Sequence, residues 1–508
     1  MRRLLCLLAA LMLLCGGSLA EESQGAPAAS GVTYEIFVGS FADSDGDGIG
    51  DLQGIISRLD YIESLGVSRL WLTPIHPSPS YHHYDVLDYY AVAPEFGTLE
   101  DFDQLVAACA ARGITVMLDL VVNHTSSEHP WFKAACDALR SGGESTYLTW
   151  YNFTQGSGAC VVADTDWYYE ASFGYHMPDL NLDSDEVRRE IASILAFWQS
   201  HGVKGFRLDA VTSYYTGASK ASADFVRFLC ETAKANDPDC YVVGEVWDTE
   251  QTLLTLYESG IDSLFNFPAA DQKGVLIQGA LNGRGTGVAN YLAQYNARIR
   301  EAAPDAIDAP FLTNHDIARV RGMLRSDVGK MKTAAMLYLL LPGRPVVYYG
   351  EELGMGGSGA DENKRLPMLW SAQDASLLCN PPENADQAQK LKEGADVQDG
   401  NPESLLNTYR TLIALRTQAP ELERGVMTAL DGGNDALCCF LVQDNDSAVA
   451  VIINASQTET IAVEPMKLIG ASPDGFTGAQ ALGTVGEVLT QDASVVTLSP
   501  VSCILLRL

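Results

Sequence analysis

Short apolar runs alternate with longer amphipathic stretches over most of the chain. Tyr34–Val38, Arg69–Thr73, Thr115–Leu120, Gly205–Asp209, Tyr241–Glu245, Ser263–Phe267, Pro310–Asn314 and Pro345–Tyr349 are brief and rich in β-branched or aromatic residues, so each reads as a buried strand. Helical patterns such as Leu52–Leu65 lie between them. Strand–helix alternation predicts βα units, and eight strands are what a closed (β/α)8 barrel requires. Between His124 and Met177 the pattern gives way to a Trp-, Tyr- and Gly-rich stretch with no clear helical period. So long an insertion is usually functional. The last helical pattern, Pro402 to Arg416, precedes alternating runs at Leu437–Val442, Ala448–Ile453 and Ser494–Leu498, which predict a small antiparallel β domain.

The N-terminus has a different character. Met1-Arg2-Arg3, the apolar stretch Leu4–Leu14 and Gly16-Gly17-Ser18-Leu19-Ala20 form the charged, apolar and small-residue parts of a secretory signal peptide. The expected cleavage follows Ala20, with a lipid anchor at Cys15 as the alternative. Residues 21–32 read as a small, polar linker. With 47% hydrophobic and 9% aromatic residues in 508 positions, the chain can build a barrel and accessory domains. A formal charge of −32 argues against nucleic acid and anionic membranes as partners, whereas a neutral polysaccharide is indifferent to it. No spanning helix is expected in the mature chain, which reads as a secreted monomer. Of eleven cysteines none forms a metal-type CxxC pair. Cys136 and Cys160 could bridge, with buried free thiols the alternative, and Cys438-Cys439 fit alternate faces of one strand.

Three of the predicted strands end in carboxylates. These are Asp209 in Gly205-Phe206-Arg207-Leu208-Asp209, Glu245 in Tyr241-Val242-Val243-Gly244-Glu245-Val246-Trp247, and Asp316 in Phe311-Leu312-Thr313-Asn314-His315-Asp316. A charge where a buried strand ends is costly without a role there. In a parallel barrel such ends converge on one pocket, and two carboxylates flanking a bond with a third nearby can cleave a glycosidic linkage. A second acidic group lies in Asp43-Ser44-Asp45-Gly46-Asp47-Gly48-Ile49-Gly50-Asp51. Carboxylates Asp43, Asp45, Asp47 and Asp51, the Ile49 backbone carbonyl and the glycine at the sixth position follow calcium-loop spacing, although Gly54 stands where a twelfth-position Glu would be.

These signatures resemble the alpha-amylase family of glycoside hydrolases. Asp119-Leu120-Val121-Val122-Asn123-His124 is similar to its first conserved region, Met177-Pro178-Asp179-Leu180-Asn181 to its fifth, and Ser78-Pro79-Ser80-Tyr81-His82-His83-Tyr84-Asp85 to its sugar-pocket loop. The resemblance implies a barrel in two parts (33–122 and 179–422), domain B (123–178) inserted after the third strand, and a C-terminal β-sandwich (423–508). It implies Asp209 as nucleophile, Glu245 as acid/base and Asp316 as transition-state stabiliser. Arg207 would keep Asp209 ionised, Tyr84 would stack on the sugar, and His82, His124 and His315 would contact its hydroxyls. Similar family loops bind calcium, and Asn123 ligates a second calcium in many members, with Asp179 a candidate partner. Trp247 and Val243, read as sharing Glu245's strand face, would favour its neutral form. Two departures stand out. His83 replaces the usual glycine, and Ala210-Val211-Thr212-Ser213 lacks the Lys-His pair that many starch-cleaving members carry. The leading expectation is a retaining α-amylase cleaving internal α-1,4 bonds of starch and maltooligosaccharides. The alternatives are a neopullulanase-, cyclomaltodextrinase- or α-glucosidase-like enzyme with transglycosylation, and a non-catalytic glucan-binding or transporter-associated relative.

Overall fold

The computed structural model describes residues 31–470, 480–491 and 495–508. The expected signal segment 1–20, nearly all of the linker 21–32, and Ser494 lie outside the described residues. Seven parallel strands curl into one sheet: β1 (Thr33–Ile36), β2 (Arg69–Leu72), β3 (Thr115–Leu120), β4 (Gly205–Leu208), β5 (Tyr241–Gly244), β6 (Ser263–Leu264) and β7 (Val346–Tyr348). Their order is β7-β1-β2-β3-β4-β5-β6.

The eighth expected strand, Pro310–Asn314, is reduced to single bridges. Ala309 pairs with Phe265 beyond β6, and Phe311 pairs with Val346 of β7, both in parallel. Pro310 between them has no N–H to give a ladder, so regular pairing stops there while the barrel still closes. Every strand residue from β3 to β7 is buried except Thr115 at the start of β3. Parallel strands covered on both faces are expected to read as continuous apolar runs.

Two other expectations need correction. The Leu52–Leu65 pattern forms two helices, Leu52–Ser57 and Leu59–Leu65, broken at Arg58. The insertion contains a helix, Pro130–Ser141, where no helical period was legible. Pro130 opens it, His129 caps it by accepting from Trp131 N–H, and left-handed Gly142 closes it. Its buried face is Phe132, Ala135, Cys136 and Ala138. Alanine and cysteine among charged residues give a weak amphipathic signal. A small antiparallel sheet of Phe153–Gln155, Trp167–Tyr169 and Cys160–Val161 packs beside it, with Phe132 edge-on to Tyr169 at 4.9 Å. The nine cysteines among the described residues are all free, Cys136 and Cys160 included.

The C-terminal part is a two-sheet sandwich. A five-stranded sheet built on Leu437–Asp444, Ser447–Asn454 and Ser502–Arg507 faces a three-stranded sheet of Ile461–Val463, Val488–Gln491 and Val495–Leu498. Alternation assigns the faces. Cys439, Ile452 and Ile504 join the core shared with Ile461, Val463 and Leu498, whereas Cys438, Phe440, Val451 and Leu505 join the main core of the chain. Among the described residues no helix is long and apolar enough to cross a membrane.

Candidate active site

The carboxylates predicted from the sequence meet at the C-terminal mouth of the barrel. Asp209 follows β4, Glu245 follows β5 and Asp316 follows the Phe311 bridge, and all three line a cleft of about 910 Å³. Arg207 sits beneath them, fully buried. Its Nη1 lies 2.6 Å from Asp209 Oδ1 and 2.6 Å from Asp119 Oδ1, and its Nη2 lies 2.9 Å from Glu245 Oε2. Parallel register places Asp119 of β3 directly beside Arg207 of β4. One guanidinium therefore faces three carboxyl groups. Breaking such a buried set by removing one partner costs about 3–5 kcal/mol.

Local backbone geometry aims Glu245. Glu245 N–H donates to Leu208 O at 3.0 Å, and Ala210 N–H donates to Glu245 Oε2 at 3.1 Å. Ala210 adopts φ 46°, a left-handed conformation that costs a non-glycine residue roughly 1–2 kcal/mol. Burial raises the pKa of Glu245, Arg207 opposes that, and nearby Asp209 and Asp316 add to it, leaving it at about 7. Trp247 is not the desolvating neighbour expected. β5 ends at Gly244, and Trp247 is 55% exposed, stacked on Phe267 at the cleft rim.

Asp316 has the opposite environment. Arg365 Nη2 donates to its Oδ1 at 2.7 Å, and His315 Nε2 lies 3.1 Å from its Oδ2. Burial pushes this carboxyl up, but the two cations outweigh it and hold it well below the ordinary carboxylate range. Two carboxyl groups of one cleft thus favour different protonation states at neutral pH, the arrangement expected of an acid paired with permanent anions.

Of the sugar-contact candidates, Tyr84, His82 and His124 line the cleft, whereas His315 is fully buried behind Tyr84. Tyr84 stacks on His315 with centroids 5.5 Å apart and 10° between the rings, and donates its hydroxyl proton to Asp119 Oδ2 at 3.0 Å. His82 Nδ1 accepts from Tyr84 N–H at 3.1 Å, and burial lowers its pKa to about 4, so the ring is neutral. His124 is buried at the cleft wall beside Phe173, and its Nε2 has no hydrogen-bond partner. His83, the residue in place of glycine, turns away. It adopts φ 62°, its ring packs on Phe96 at 4.4 Å and its Nδ1 donates to His76 O at 2.8 Å, so it does not narrow the cleft.

Several cleft residues were not singled out by sequence reading. Arg365 donates to Asp316, to Tyr81 Oη at 2.7 Å and to His315 O at 3.1 Å. Lys364 Nζ donates to Asp316 O at 2.7 Å. Lys364 ends a one-turn helix, Asp361–Lys364, and Arg365 caps it, nearly fifty residues beyond Asp316; so short a helix shows no period, and an adjacent Lys-Arg pair in so acidic a chain was the only signal. Phe173, Trp247 and Tyr81 add aromatic surface to the walls.

The sequence raises two metal expectations. Asp43, Asp45 and Asp51 bring ligand oxygens within 4.8 Å of one another, so this cluster could hold a divalent cation, and its donors are the hard oxygens such ions take. Asp43 also accepts N–H groups of Asp45, Gly46 and Gly48, while Asp51 caps the following helix through Gly54 N–H. At Gly48, φ is 94° and an added Cβ would lie 1.9 Å from Asn380 Nδ2, so only glycine fits. Asp47 lies outside the cluster and accepts from Ile49 N–H at 2.7 Å. Asn123 lies beside Asp179: its amide donates to Asp179 Oδ1 at 3.1 Å, and Asp179 also accepts from the N–H and hydroxyl of Ser172.

A (β/α)8 barrel with this charge arrangement at the C-terminal mouth defines a glycosidase. A family model described as alpha amylase, catalytic domain, matches residues 35–425. The chain belongs to that family. "Alpha-amylase 3" of Dictyoglomus thermophilum is 37% identical over 84% of this chain and 85% of that protein. "Glucan 1,6-alpha-glucosidase" of Streptococcus pneumoniae is 28% identical over 84% and 91%, and "Trehalose synthase" of Thermus thermophilus is 30% identical over 84% and 50%. The solved structure of Eubacterium rectale Amy13B superposes with a TM-score of 0.87 at 40% identity, covering 94% of this chain and 95% of that one.

Proposed function

We propose that this protein is a retaining hydrolase of α-glucosidic bonds in short glucan oligosaccharides, with glucosidase- or neopullulanase-like action and transfer to sugar acceptors. The pair of carboxylates sharing the Arg207 guanidinium carries this reading. Holding both on one planar fork keeps them close, as the roughly 5–5.5 Å spacing of retaining pairs requires. Asp209 attacks the anomeric carbon and forms a glycosyl ester while Glu245 gives its proton to the departing oxygen. Glu245, now a base, takes a proton from water or an acceptor hydroxyl, which displaces Asp209. Asp316, held ionised, stabilises the positive charge that builds on the sugar ring in both steps. Calcium at the Asp43–Asp45–Asp51 cluster would serve structure, far from these steps in the chain. We also propose, from the N-terminal pattern alone, that the protein is exported.

Three features support short substrates and transfer over the internal cleavage of starch. The cleft is of the size usual for small-molecule sites. Thr212 and Ser213 line it where a Lys-His pair would grip a leaving glucan. Relatives matched over the same 84% of this chain carry glucosidase and trehalose synthase names, the latter over half of its own length. The second reading, an endo-acting α-amylase, is favoured by the 37% identity to "Alpha-amylase 3". Timed product separation from maltotriose, pullulan and soluble starch distinguishes them. Glucose with longer transfer products from maltotriose, or panose from pullulan, supports the proposal. A maltooligosaccharide ladder from starch with maltotriose untouched would replace it by the amylase.

A further inference from the structure

We propose that Glu35, on β1 and outside the residues assigned above, is a positioning residue that fixes His315 with a proton on both ring nitrogens and through it orients Tyr84 and Asp316. The inference rests on the glycosidase reading of the cleft.

The hydrogen bonds point to it. Glu35 is fully buried, and its Oε1 lies 2.6 Å from His315 Nδ1. On the other side of the ring, Nε2 lies 2.7 Å from Tyr84 Oη and 3.1 Å from Asp316 Oδ2. The Tyr84 hydroxyl has one proton, and Asp119 accepts it. Arg207 Nη1, 3.4 Å away, can only donate to that oxygen. The hydroxyl must therefore accept from His315, so Nε2 carries a hydrogen. Burial pushes the Glu35 carboxyl up and His315 pulls it back down; with Glu35 ionised, Nδ1 faces a carboxylate and carries a hydrogen too. A neutral imidazole has a single N–H, so this geometry with Glu35 ionised needs the imidazolium.

Charge accounting agrees. Burial alone would lower the pKa of His315, but Asp316 and Glu35 on opposite edges outweigh it and raise it to about 10. Arg207 opposes them from below, while Asp119 adds negative potential from β3, as does Glu245 at the end of β5 once it has released its proton; Tyr84 packs flat on the ring and Trp71 meets it edge-on at 6.0 Å. Glu35 Oε2 makes no hydrogen bond, so His315 is the partner that offsets burying this carboxylate. A fixed imidazolium then gives Asp316 its second cation beside Arg365, and it keeps the Tyr84 hydroxyl turned toward Asp119.

Replacing Glu35 by Gln preserves an acceptor for Nδ1–H but removes the charge. The ring should fall back to one N–H near neutral pH, leaving a lone pair facing Asp316. The chain has eight histidines, so nitrogen NMR of histidine-labelled protein resolves the ring directly. In wild type, one ring should keep both protons from about pH 6 to about pH 9 and should be absent from the spectrum of His315→Asn. In Glu35→Gln that ring should lose a proton within this window. The loss of kcat/KM should be about tenfold greater at about pH 8 than at about pH 6, and Glu35→Asp should restore part of it. A singly protonated His315 in wild type overturns the proposal even if the variant does not fold. So does a Glu35→Gln protein with unchanged ring titration and equal losses at both pH values. The spectra need no substrate, so failure of this inference is distinguishable from failure of the glycosidase reading.

Discussion

Replacing Glu245 by Gln separates its two roles, proton donor and structural acceptor. The amide oxygen can still accept Ala210 N–H, as Oε2 does at 3.1 Å, while Arg207 keeps Asp119 and Asp209, so the fold should persist. What disappears is the proton. A positioned general acid contributes about 10²–10⁴-fold, or roughly 3–5.5 kcal/mol of barrier. That is the expected loss in kcat/KM for maltotriose, whose leaving sugar needs protonation. An aryl α-glucoside with a strongly acidic phenol leaves without help, so its glycosylation step, read as a burst of phenol, should fall less than about tenfold. The pH dependence follows from the Glu245 pKa of about 7. The acid form is present below that value and lost above it, so wild-type kcat/KM on maltotriose should decline on the alkaline side of about pH 7. The Gln variant on the aryl glucoside should show no such decline. Equal losses on both substrates at the glycosylation step, or an alkaline limb surviving in the variant, would refute the assignment.

Asp209→Asn should keep the fold and abolish turnover, because the amide keeps the shape without the nucleophilicity; cleavage within a small factor of wild type would remove Asp209 from its role. Adding calcium to metal-free protein should raise the melting temperature, and Asp45→Ala with Asp47→Ala should remove that response because Asp45 is one of the three clustered carboxylates. An undiminished calcium response in the double variant would leave the loop a solvated turn. Glu351, buried and accepting from Tyr338, Tyr409 and Thr313, has its pKa raised by burial to about 7. Folding then costs more as pH rises from the ordinary Glu value toward 7, since the unfolded chain has already released this proton. Denaturant titrations should therefore find Glu351→Gln less destabilising at about pH 8 than at about pH 5, and the reverse order would contradict the raised pKa.

Strand-end carboxylates were legible because their runs are short, apolar and nearly all buried, which leaves one periodicity to read. Asp209, Glu245, Asp316 and Arg207 all lie at or beside a strand end, and the structure brings them together. Arg365 and Lys364 were not legible, because a single helical turn is too short to show a period that would place a side chain in space. Glu35 was hidden for the opposite reason. It sits inside β1, where a single polar residue in an apolar run looks like an exposed position until its 2.6 Å contact with His315 is seen. The eighth strand was overread because Pro310 was counted as part of an apolar run although it lacks the donor that a ladder needs. Trp247 was misplaced by extending β5 three residues past Gly244, where alternation no longer determines which way a side chain points.

The shared grip of Arg207 on Asp209 and Glu245 makes a stereochemical claim. Two displacements at one carbon return it to its starting configuration, whereas a single displacement by water inverts it. Proton NMR of the anomeric position in the first moments of maltotriose cleavage, before mutarotation, reads this directly. The α-anomer should appear first and the β-anomer should grow in later by mutarotation. A β-anomer appearing first would mean water attacks without a covalent intermediate, and the roles proposed for Asp209 and Glu245 would be wrong.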